Sequence, residues 1–86
     1  MPQISRFFGI IIAMYFDDHN PPHFHAKYNN EECLISITEL RVIEGKIPSR
    51  ALGMVIEWAT THQQELINDW ERAKLLQPLI PIEPLK

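Results

Sequence analysis

Cysteine is almost absent. Cys33 is the only one, so the chain can form no internal disulfide and no cysteine-rich zinc site, and a reducing, cytoplasmic setting is expected. A run of charge of one sign is missing too: 8 Lys and Arg face 11 Asp and Glu, spread along both halves, for a net charge of −3. That balance shows no footprint for duplex nucleic acid or an anionic membrane. What remains is a loose basic set, Arg6, Lys27, Arg41, Lys46 and Arg50, which with Phe24 or Tyr28 for stacking could touch RNA; scattered, solvated charges are the plainer account. Long hydrophobic runs are lacking as well. Phe7 to Phe16 falls short of the roughly 20 residues that span a bilayer, and no basic segment with a small-residue cleavage site precedes it, so neither membrane insertion nor a signal peptide is expected.

What is there suits one small domain. The 86 residues are too few for two cores, and 45% apolar with 22% charged residues is ordinary globular usage. Stability at this size is slim enough that a homodimer contact or a metal would matter. Gly9 to Phe16, rich in isoleucine and aromatics, suits a well-covered strand that ends at Asp17 and Asp18. Asn20-Pro21-Pro22 cannot continue a ladder and predicts a stiff corner. His23 to Tyr28 then reads as a second strand, Asn29-Asn30 as a two-residue type I′ hairpin loop, about Glu32 to Ile37 as a third strand, and Leu40 to Glu44 as a short fourth. The expected fold is α+β: an antiparallel meander of three to four strands, followed by one long or two shorter C-terminal helices and an extended Pro-rich tail.

The helical part opens at Pro48-Ser49, after Gly45. Leu52, Val55, Ile56, Ala59, Leu66, Trp70 and Ala73 form an apolar stripe, with Glu57, Glu65, Asp69 and Arg72 around it. As one helix, residues 49 to 76 would run about 42 Å, against a radius of gyration of roughly 12 Å for a chain this long. A break near Thr60-Thr61, with Thr61 and Gln64 as a capping box, is the alternative. Pro78, Pro81 and Pro84 keep the tail extended, packed along the domain as an edge segment.

One segment could carry chemistry. His19, His23 and His25, three of the four histidines, fall within seven positions beside Asp17 and Asp18. On a strand His23 and His25 share a face, with Phe24 opposite. They could hold one divalent metal, with His19 closing across the corner and Asp17 or Asp18 supplying a carboxylate. Without metal, His23 or His25 could act as general acid or base with Asp18 orienting it. The plain reading is that the imidazoles only hydrogen-bond backbone and carboxylates, and no metal is required. His62 reads as a helix-surface or capping residue, Trp58 and Trp70 as core or dimer packing, and Cys33, beside Glu31 and Glu32, as a poor nucleophile with a raised pKa.

The opening Met1-Pro2-Gln3-Ile4-Ser5-Arg6-Phe7-Phe8-Gly9-Ile10, the block Asp18-His19-Asn20-Pro21-Pro22-His23-Phe24-His25-Ala26, Glu44 to Pro48 before Arg50-Ala51-Leu52, and Glu57-Trp58-Ala59 carry a resemblance. Over nearly its whole length the chain resembles the bacterial domain-of-unknown-function family numbered 4160. The resemblance implies no catalytic residues, because the family has no established activity. It does imply a partner: such genes often lie beside one for domain-of-unknown-function family 2442, a pair suspected of forming a toxin–antitoxin-like module. Two functions are therefore expected to compete. One is a cytoplasmic module that binds a cognate partner protein; the other is a small hydrolase, such as a metal-dependent ribonuclease, using His19, His23, His25 and Asp18.

Overall fold

A computed structural model describes residues 3–16 and 18–86; Met1, Pro2 and Asp17, on which parts of the sequence reading rest, lie outside the described residues. The chain runs β1 (Gln3–Phe7), β2 (Ile10–Ala13), β3 (His23–Tyr28), β4 (Glu31–Ser36), β5 (Val42–Gly45), α1 (Ser49–Thr61), α2 (Gln63–Lys74). The strands lie side by side in chain order, each antiparallel to the next. This is the expected α+β meander with one more strand, β1, at its N-terminal edge.

The extra strand exists because the chain turns at Phe8-Gly9, inside what reads as the approach to a single strand. Both residues take positive φ, 50° and 79°, as a two-residue type I′ hairpin requires. β2 stops at Ala13 rather than Phe16, since Ala13 pairs with His25 and the chain then leaves the sheet for the proline corner. There the Asn20–Pro21 peptide is cis. At Asn29-Asn30 only Asn29 has positive φ, 54°, so that loop is not a full type I′ turn. β5 begins at Val42 because Leu40 (φ 54°) closes a turn onto the Ser36 carbonyl, 2.8 Å away.

Register sorts the side chains onto two faces. Ile12, Ala26 and Cys33 stand in line across β2, β3 and β4, as do Phe24 and Ile35, and all are fully buried. The helices cover this face. Trp58 is its centre: its ring lies 5.4 Å from Phe7 and 6.0 Å, edge-on, from Phe24, and its Nε1–H donates to the Glu83 carbonyl at 2.7 Å. Both tryptophans are buried, so they serve the core.

Two helices form, not one. A single helix of about 42 Å would exceed the molecule's longest dimension, 33 Å. His62 interrupts the run, but the expected capping box does not: Thr61 Oγ1 donates back to the Trp58 carbonyl at 2.9 Å, and no side chain caps α2. The new direction is held by Gln63, whose Nε2 donates to the Ile37 carbonyl beyond β4 at 2.6 Å. No described helix is long and apolar enough to cross a membrane.

Asp69 departs from its expected place around the apolar stripe, for it is wholly buried. Arg72 donates to its Oδ1 at 2.7 Å and the Ile80 N–H at 2.9 Å, so burial follows from the tail folding back over α2. The tail then runs beside β1, where Ile82 N–H donates to the Ile4 carbonyl at 2.7 Å. As expected, it is an extended edge segment.

Candidate functional site

The second face of the sheet carries the histidines. Alternation along β3 puts Phe24 and Ala26 into the core and His23, His25 and Lys27 on the opposite side, with Glu32 and Leu34 of β4 in register beside them. The corner between β2 and β3 then brings Asp18 over the strand. His23 Nε2 lies 3.0 Å and His25 Nε2 3.4 Å from the same oxygen, Asp18 Oδ2. The two imidazole rings are 5.4 Å apart. One ligand atom each from Asp18, His23 and His25 falls within 4.8 Å of the others.

The outer ring nitrogens define the chemistry. His23 Nδ1 is 2.8 Å from the Pro21 carbonyl, which can only accept, so this nitrogen carries the proton and donates. His25 Nδ1 donates to Glu32 Oε2, also at 2.8 Å, the shorter of its two carboxylate contacts. Both Nε2 atoms therefore face Asp18 Oδ2: a protonated ring donates its Nε2–H to that oxygen, and a neutral ring with its proton on Nδ1 turns a lone pair to the same point, where the two nitrogens and the oxygen form a ligand set for a cation.

Asp18 is suited to that position. Partial burial acts to raise its pKa, but the His19 N–H at 2.9 Å, the contact with His25 and the charges that both imidazoles carry when protonated together hold it below the usual carboxylate value. His23 is nearly enclosed, resting 5.2 Å from the Trp70 ring, whereas His25 meets the edge of Tyr15 at 4.6 Å. The Tyr15 hydroxyl accepts from Lys27 at 2.7 Å, a bond that raises the Lys27 pKa. Beside the centre opens a cleft of about 260 Å³, lined by His19, Pro21, His23, Leu34, Ile43 and Glu44 among others.

Of the residues the sequence singles out, His23, His25 and Asp18 converge. His19 does not join them as a ligand; it is exposed and lines the cleft, its backbone N–H rather than its ring serving Asp18. His62 stays on the helices, against Trp58 and bonded to Glu65. Of the basic set, Lys27 is engaged by Tyr15 and Arg41 by Glu39. Cys33 is sealed in the core, where burial first and Glu32 second push its pKa up to about 11. Glu32 and Tyr15 escape a reading of the sequence as site residues, because only strand register and the path of the corner bring them to His25.

Fold and centre together define a small α+β protein with an imidazole–carboxylate cluster on the side of its sheet opposite Phe24 and Ala26. Residues 9–71 match the family described as Domain of unknown function (DUF4160), and the chain belongs to that family. No curated protein and no solved structure matches it.

Proposed function

We propose that the chain is a small cytoplasmic hydrolase of phosphodiester bonds, ribonucleotide chains being the substrate class, with a divalent cation held by Asp18, His23 and His25. The observation that carries this reading is the convergence of two imidazole Nε2 atoms on one carboxylate oxygen at the edge of an open cleft. Asp18, His23 and His25 would hold the ion through one carboxylate oxygen and two imidazole nitrogens, and the ion would supply Lewis-acid activation of a phosphoryl oxygen and of water. Asp18, held ionised, neutralises part of its charge, and His19 and Glu44 lie where a substrate in the cleft would pass.

The test is metal content together with cleavage of a labelled RNA by the purified chain. The expected result is one equivalent of bound transition metal, cleavage lost on chelation, and cleavage lost in His23→Ala and His25→Ala while the circular-dichroism melt of His25→Ala stays close to wild type. A chain that takes up no metal, or variants that cleave as well as wild type, would overturn the reading.

The second reading, a binding module of a toxin–antitoxin-like pair with a cognate protein partner, draws on the family likeness and on one observation. Leu76, 69% exposed, occupies the left-handed position (φ 57°) that ends α2, where Gln77 N–H donates to the Arg72 carbonyl and Leu76 N–H to that of Ala73. Glycine is the unstrained residue there, so a large apolar side chain, next to Leu75 at 67% exposure, is what a docking surface would keep. Growth inhibition that survives His23→Ala but is lost in Leu75→Ser with Leu76→Gly would favour this reading over the hydrolase.

A further inference from the structure

We infer that Glu32 is a positioning residue of the Asp18–His23–His25 centre: its carboxylate, by accepting the Nδ1–H of His25, locks the ring with Nε2 towards Asp18 and so tunes the centre for a borderline transition cation such as Zn²⁺. The inference rests on the metal-centre reading above.

Glu32 sits where register requires for this role. It pairs with Lys27 across β3 and β4, which puts it on the histidine face, diagonal to His25. The residue directly opposite would ordinarily claim it, yet Lys27 gives its ammonium to the Tyr15 hydroxyl at 2.7 Å, leaving the Glu32 carboxylate to His25 at 2.8 Å. The Glu32 main chain is held as well. Its carbonyl accepts the Lys46 N–H at 3.2 Å, and Gly45 packs so closely that a Cβ there would collide with the same oxygen. Tyr15, edge-on to His25, restrains the ring from the side of the corner.

The same device recurs on His23, where the Pro21 carbonyl takes the Nδ1–H. Both ligand rings thus have their outer nitrogen bound to an acceptor, one charged and one neutral, which fixes the tautomer and raises the basicity of the inner nitrogen. Two imidazoles with a single carboxylate suit Zn²⁺ and its neighbours; Mg²⁺ prefers an all-oxygen shell. As a surface ion pair the contact with Glu32, whose side chain is 43% exposed, contributes little to folding, so its loss should register at the metal and not in the melt.

The experiment is calorimetric titration of Zn²⁺ and Mg²⁺ into the metal-stripped chain and its Glu32→Ala and Glu32→Gln variants, with a thermal melt of each. Glu32→Ala should weaken Zn²⁺ binding about 10- to 100-fold with an unchanged melt. Glu32→Gln, whose amide oxygen still accepts the Nδ1–H, should recover most of the affinity, and Mg²⁺ should bind weakly to all three. Equal Zn²⁺ affinity in wild type and Glu32→Ala, or Mg²⁺ binding as tight as Zn²⁺, overturns the inference and leaves the metal centre standing. A wild-type chain that takes up no Zn²⁺ overturns the centre itself, and this inference with it.

Discussion

The two faces of the sheet are made by the same strands and obey different rules. On the helix-covered side Phe24, Ala26, Cys33 and Ile35 are fully enclosed, and the surface removed from water holds the fold together. On the other side His23, His25, Lys27 and Glu32 keep polar atoms paired with one another and with the corner above them. Adjacent residues of β3, one strand of six, belong to the two regimes alternately. The contrast shows that one small sheet can carry a paired polar cluster and an apolar core on the same strands, because the pleat keeps the two sets apart.

The sharpest test of this contrast substitutes neighbours. Phe24→Ala should cost about 3–5 kcal/mol, a large part of the roughly 5–15 kcal/mol that stabilises a typical domain, and should be seen as a lowered urea midpoint. His25→Ala, one residue on, should shift that midpoint little. Comparable losses from both would show that the faces are not independent.

A smaller effect should join the two regions through Gly45. Its positive φ (77°) and the clash an added Cβ would make with the Glu32 carbonyl mean that Gly45→Ala must move β4 or β5. A loss of about 1–3 kcal/mol is expected, accompanied by weaker Zn²⁺ binding as Glu32 shifts away from His25. Unchanged Zn²⁺ affinity in a destabilised Gly45→Ala chain would separate the edge of the sheet from the centre.

The smallest effect concerns the core face at alkaline pH. The Cys33 thiol has its pKa raised from 9.0 to about 11 in the folded chain, so the unfolded chain loses that proton first as pH rises. The stability it contributes is complete below pH 9.0 and is lost as pH climbs towards about 11. Denaturant midpoints across that window should fall more steeply for wild type than for Cys33→Ala. Parallel curves would mean that the thiol is not enclosed.

Much of this is legible from pattern alone. Period-two alternation in His23 to Tyr28 gives both faces of β3, the diproline predicts the corner, and paired threonines mark the region where α1 gives way to α2. Other features escape for identifiable reasons. β1 is hidden because Phe8 takes a left-handed conformation that a bulky side chain seldom adopts, so nothing but Gly9 signals the turn. A shift in register between Gln3 and Ser5 also blurs its alternation, leaving Ile4 and Ser5 both buried. Asp69 reads as a solvent-facing charge, and only the returning tail explains its burial.

By itself, then, the order of residues determined β2 to β5, the helical stretch and the face that His23 and His25 share, since these depend on local periodicity and on proline and glycine geometry. Only the tertiary structure decided that Asp18 closes on His23 and His25, that Glu32 reaches His25 from the next strand and that His19 stays outside. Those meetings depend on register and on the path of a corner, which are fixed by the burial of Phe24, Ile35 and Trp58 on the far side of the sheet.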